Sequence, residues 1–120
     1  MQKKVLIVDD EAPCRALYQR VLRDRYDLCT ASNGQEALEK LASEKPDGVL
    51  LNVEMPVMNG IELIAYMKEK EKLKNIPVIV ISSYKIYSKK VGAMGVNYFI
   101  DKSEFSEEIL INTIKKENLL

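Results

Sequence analysis

The 120-residue sequence has no histidine, which removes zinc-finger ligand sets and histidine-based catalytic triads from consideration. Its two cysteines are too few for a disulfide framework. Neither sign of charge is in excess: 18 Lys plus Arg balance 18 Asp plus Glu, so there is no electrostatic footprint for DNA or RNA. Long apolar runs are also missing. None approaches the ~20 residues needed to span a bilayer. Met1-Gln2-Lys3-Lys4 leads into only four strongly apolar residues before Asp9, too few for the core of a signal peptide. What is present, 47% apolar and 30% charged residues, fits a soluble cytosolic domain. A chain of this size buries roughly two thirds of its unfolded surface and needs no metal or disulfide to fold.

Three aliphatic runs dominate: Val5-Leu6-Ile7-Val8, Val49-Leu50-Leu51 and Val78-Ile79-Val80-Ile81. They do not alternate with polar residues, the pattern of strands covered on both faces. Between them apolar residues recur at helical spacing. Cys14, Leu17, Tyr18, Val21 and Leu22 form one stripe, with Pro13 in the first turn and Asp9, Asp10 and Glu11 beside the positive end of the helix dipole. A second helix is predicted after Asn33, which caps it while Glu36 reaches back. It buries Ala37, Leu38, Leu41 and Ala42 and ends before Pro46. A third opens near Gly60 after an Asn59-Gly60 turn, buries Ile61, Ile64 and Met67, and ends in the solvated run Lys68-Glu69-Lys70-Glu71-Lys72.

Weaker strands are predicted over 26–30 and 98–100. A helix of low propensity covers 84–94, with Gly95 as its cap, and a last helix turns Leu110, Ile111 and Ile114 inward. The order is β-α repeated five times. Right-handed crossovers wind that order into an α/β fold, a doubly wound parallel sheet with helices on both faces.

In such a sheet ligands bind beyond the carboxyl ends of the strands, where strand order reverses. The residues that follow the apolar runs are Asp9-Asp10-Glu11, Asn52, Ser82-Ser83 and Asp101-Lys102. Taken singly each has a plain explanation. The acidic cluster suits the start of a helix, the serines suit another helix start, and a lysine is usually a surface residue. Taken together they bring carboxylates, an amide, a hydroxyl and an ammonium to one crevice. An acidic pair beside an oxygen ligand is what a hard cation such as Mg2+ requires.

These residues resemble the receiver domains of bacterial two-component response regulators, the CheY-like family. The resemblance runs from Lys4-Val5-Leu6-Ile7-Val8-Asp9-Asp10 through Met55-Pro56-Val57-Met58-Asn59-Gly60 to Tyr98-Phe99-Ile100-Asp101-Lys102. It implies a flavodoxin-like (βα)5 sheet in order 2-1-3-4-5, with residues 1–120 as one receiver. It assigns Asp9, Asp10 and the backbone carbonyl of Glu54 to Mg2+, Ser82 to a hydrogen bond with the phosphoryl group, Lys102 to its charge, and Phe99 to the aromatic switch position. The partner it implies is a sensor histidine kinase or another signalling protein. It also implies a partner or homodimer face formed by the fourth helix, fifth strand and fifth helix.

Family members carry the phosphoacceptor aspartate four residues before the proline of Met-Pro. Here that position is Asn52. A carboxamide is neutral and a poor nucleophile, so no acyl phosphate is expected. The lost charge also weakens the metal site, although the Asn52 amide oxygen remains a candidate ligand. Mg2+ is therefore expected to be weakly bound or absent. Two origins fit: a receiver that has lost phosphotransfer and works through protein contacts, or an Asp-to-Asn exchange made in an ordinary one. No enzymatic activity is expected. A flavodoxin-like binding protein would need a phosphate-cradling loop where Asp9-Asp10-Glu11 repel phosphate. A metal-dependent phosphatase with Asp9 as nucleophile leaves the later motifs unexplained.

Further expectations concern details. Lys102-Ser103 replaces the family's Lys-Pro, so a trans peptide, a shifted loop and a displaced ammonium are expected. Cys14 and Cys29 read as buried small hydrophobes. Ile86 and one of Tyr84 and Tyr87 are expected in the core. The Glu54 side chain, if it reaches the pocket, restores part of the charge lost at residue 52.

Overall fold

The structure is a computed structural model that describes residues 2–96 and 98–116. Five strands, β1 (Lys4–Val8), β2 (Asp27–Ala31), β3 (Gly48–Leu51), β4 (Val78–Ser82) and β5 (Tyr98–Asp101), alternate with five helices. These are α1 (Ala12–Leu22), α2 (Gly34–Glu44), α3 (Gly60–Lys68), α4 (Tyr87–Ala93) and α5 (Glu107–Lys116). All strand pairs are parallel, in the order β2-β1-β3-β4-β5. The chain thus has the flavodoxin-like doubly wound sheet that the periodicity and the resemblance both imply.

The aliphatic runs explain the layering. Successive strand residues point to opposite faces, so Leu6, Val8, Val49, Leu51, Val78 and Val80 pack beneath α2, α3 and α4 with Ala37, Leu41, Leu63, Ile64, Met67 and Val91. Val5, Ile7, Leu50, Ile79, Ile81 and Ile100 meet α1 and α5 through Tyr18, Val21, Leu22, Leu110 and Ile114. Two apolar layers therefore sandwich one sheet. No helix among the described residues is long and apolar enough to cross a membrane.

Several local expectations are corrected. The second strand is Asp27–Ala31, one residue later than 26–30. Ala42 is exposed, and in α3 Leu63 is fully buried where Ile61 is only half-buried. Asn33 does cap α2 by accepting the Glu36 N–H, but the Glu36 carboxylate accepts from Ser32 Oγ instead of reaching back. The reciprocal capping box lies one helix later. Asn59 Oδ1 accepts from the Glu62 N–H, and Glu62 Oε1 accepts from the Asn59 N–H. The fourth helix is shorter than 84–94, and Gly95 follows its end with φ +90°.

Ile86 is 81% exposed and Tyr84 is 54% exposed, so they do not join the core; Tyr87 is half-buried against the layer formed by α2, α3 and α4. The loop before α3 holds Val57 at φ 71°, 79% exposed. That is a strained conformation for a β-branched residue.

Candidate functional site

The carboxyl ends of β1, β3, β4 and β5 open onto a cleft of about 440 Å3. It is lined by Asp10, Glu11, Asn52, Glu54, Met55, Pro56, Ser83, Tyr84 and Lys102. The strand order places β1 between β2 and β3, with β3 at the centre of the sheet. Residues 9, 10 and 52 leave the sheet side by side, and Asn52 is anchored there by its N–H to Val8 O at 2.9 Å.

Asp9 is 1% exposed. Burial pushes its carboxyl above the usual range, while the Glu11 N–H at 2.9 Å and Lys102 Nζ at 3.2 Å pull in the other direction. Burial in turn lowers the Lys102 ammonium, but Asp9, Cys14 and Glu11 outweigh it and leave the group above its ordinary value. Lys102 Nζ also lies 3.6 Å from Glu11 Oε1 and 3.8 Å from Cys14 Sγ. Asp9, Glu11 and Cys14 offer donor atoms within 4.8 Å of one another. The lysine neutralises that group from within.

No described peptide bond is cis, so Lys102-Ser103 is trans as expected, and the Lys102 ammonium reaches Asp9. Lys102 opens a short 3-10 turn, Lys102–Glu104. Asp101 Oδ1 fixes that turn by accepting from both the N–H and the Oγ–H of Ser103, at 2.9 and 2.8 Å. These bonds hold the Asp101 carboxyl below its ordinary range.

Asn52 is 7% exposed, and its amide nitrogen has two acceptors, Asp10 Oδ1 at 3.2 Å and the Glu54 backbone oxygen at 2.8 Å. Both partners accept only, which fixes the orientation of the carboxamide. The Glu54 carboxylate turns away to accept the Tyr87 phenol at 2.8 Å, an interaction that raises the Tyr87 phenol above its ordinary value.

Ser82 is fully buried, and its Oγ accepts the Tyr84 N–H at 3.0 Å; Ser83 is the serine that lines the cleft. Phe99 is half-buried and packs on the layer formed by α2, α3 and α4. Strand-end reading thus brings Asp9, Asp10, Asn52, Glu54 and Lys102 together, and leaves Ser82 and Phe99 behind the cleft wall.

That reading missed two participants, Cys14 and Tyr87, and had Glu11 only as part of the acidic cluster. Cys14 and Cys29 are half-buried, and burial raises both thiols, but Cys14 touches Lys102. Its place in the first turn of α1, directly after the acidic cluster, was the available signal. Glu11 joins through the same turn. Nothing in the sequence marks Tyr87 as the partner of Glu54.

Comparison with known proteins bears on this geometry. The family model described as "Response regulator receiver domain" matches residues 5–115. Sporulation initiation phosphotransferase F of Bacillus subtilis is 40% identical over 85 residues, covering 70% of this chain and 67% of that protein. The alkaline phosphatase synthesis transcriptional regulatory protein PhoP of the same organism is 39% identical over 84 residues, covering 69% of this chain but only 34% of its own length. Among solved structures, response regulator TrrA of Thermotoga maritima, in complex with Mg(2+)-BeF, superposes with a TM-score of 0.86 at 32% identity. The match covers 99% of this chain and 100% of that one.

Proposed function

The chain belongs to the response regulator receiver family, and on that premise we propose that it is a two-component signalling module that does not take up phosphate at residue 52. One observation carries the reading: the Asn52 amide nitrogen donates to Asp10 and to the Glu54 carbonyl. Aspartyl phosphorylation needs a carboxylate oxygen as nucleophile and positive charge on the phosphoryl oxygens. Residue 52 here offers neither a charged oxygen nor a free lone pair on nitrogen. Lys102 stands ready to compensate charge, with its ammonium held at Asp9.

The same oxygens already have partners with which a magnesium ion must compete. Mg2+ needs octahedral oxygen ligands, and the Asp10 carboxylate and Glu54 carbonyl both face N–H groups. Asp9 faces the lysine. Metal binding is accordingly weak, and Asn52 supplies its amide oxygen only after turning over. Ser82 and Phe99 stand at the sequence positions that the resemblance assigns to phosphoryl contact and switching.

Output is then protein binding in the cytoplasm. The surface used is the face of α4, β5 and α5, with Ile109 exposed on α5 and Tyr84 and Ile86 exposed in the segment that leads into α4, and the occupant is a histidine kinase, another signalling protein or a second copy. Incubation with acetyl phosphate and Mg2+, followed by intact-mass measurement, tests the reading. The parent chain is expected to stay at its own mass while Asn52→Asp gains one phosphoryl group. A hydroxylamine-labile adduct on residue 52 of the parent overturns it.

A further inference from the structure

We infer that Glu54 is a positioning residue that ties the side chain at residue 52 to the placement of α4. Its backbone oxygen accepts from Asn52 Nδ2 at 2.8 Å, and its carboxylate accepts from the Tyr87 phenol at 2.8 Å. One residue thus has a hydrogen bond on the strand-end side and another on the first residue of α4. The connection continues outward. The Tyr87 ring meets Tyr84 edge to face at 6.2 Å, and the Tyr84 N–H is held by Ser82 Oγ.

Few other restraints hold this element. α4 has seven residues, no side-chain cap at Ile86, and Val91 as its single fully buried side chain. An element with so little buried apolar surface sits at the low-stability end of a fold, where one hydrogen bond changes its population measurably. The alternative route through the aromatic at residue 99 has no hydroxyl, so it offers no hydrogen bond to the site. What Glu54 positions is the exposed pair Tyr84 and Ile86. A change at residue 52 moves the Glu54 backbone and is read as a different presentation of that pair.

The coupling needs no phosphoryl group, so its failure leaves the functional reading standing, and the reverse also holds. Asn52→Ala is compared with its reference by backbone amide chemical shifts in four backgrounds: parent, Tyr87→Phe, Glu54→Gln and Glu54→Ala. Shifts across residues 84–93 are expected in the parent and with glutamine, which keeps an acceptor for the phenol. They fall to the level of distant residues with Tyr87→Phe and with Glu54→Ala.

Coupling is reciprocal. Tyr87→Phe alone therefore moves the Asn52 side-chain NH2 resonances and speeds amide exchange in α4 roughly fivefold. Equal responses at 84–93 in all four backgrounds overturn the inference, as does a parent response confined to residues 9–11 and 52–58. An unmoved Asn52 NH2 signal in Tyr87→Phe does so as well.

Discussion

Replacing Asn52 by aspartate exchanges two donated hydrogen bonds for repulsion, and the size of the effect can be worked out. The new carboxylate faces Asp10 Oδ1 at 3.2 Å and the Glu54 oxygen at 2.8 Å with no proton to offer. Two lost hydrogen bonds cost about 2 kcal/mol together. Two like charges about 4 Å apart repel by about 4 kcal/mol at an effective dielectric constant of 20. The cleft is open to water, which reduces that repulsion to about 1–2 kcal/mol. Unfolding in urea followed by circular dichroism should therefore show Asn52→Asp less stable than the parent by about 3 kcal/mol in the presence of a chelator. Mg2+ removes the repulsion, and at a hundredfold excess over its Kd it returns about 2.7 kcal/mol. The parent should be indifferent to both additives. A parent stabilised by Mg2+ as strongly as the variant, or a variant unaffected by the chelator, refutes the reasoning.

Three further expectations follow from particular contacts. Lys102→Met leaves the Asp9 carboxyl buried without its cation and should lower unfolding free energy by about 2–4 kcal/mol at neutral pH. The loss shrinks as pH falls, because the raised Asp9 carboxyl takes up a proton more readily than in the unfolded chain. Val57→Asn relieves a β-branched residue held at φ 71° and should stabilise by about 1 kcal/mol in the same assay. The Asp101 carboxyl should titrate by NMR below its ordinary value. Its contribution to the Lys102–Glu104 turn is present above the unfolded value and is lost as pH falls through the folded one, whereas Ser103→Ala should bring the titration back toward normal.

The strands were legible because β1, β3 and β4 are covered on both faces and so are written as unbroken aliphatic runs. β2 was misplaced by one residue, since its edge position lets polar and apolar residues mix. In α3 the stripe is Gly60, Leu63, Ile64 and Met67, and Ile61 stands one step off it; composition alone does not tell those neighbours apart. Ile86 is apolar in type but stands at the exposed entrance to α4, outside the helix.

At the site, topology forces residues at strand ends together, so Asp9, Asp10, Asn52 and Lys102 could be read in one dimension. Contacts that depend on where long side chains turn could not be read this way. Lys102 reaching into Glu11 and Cys14, the amide of Asn52 choosing Asp10 and Glu54, and the pairing of Glu54 with Tyr87 all belong to that class.

The two apolar layers contain none of the polar groups at the sheet rim: Asp9, Asn52 and Ser82 are buried yet belong to neither. Architecture and chemistry are consequently separable inheritances. A lineage can rewrite the rim one codon at a time without touching the apolar layers, each change drawing on the stability margin those layers supply. In evolutionary terms, residue 52 is a place where a new trait can be tried without first rebuilding the body that bears it.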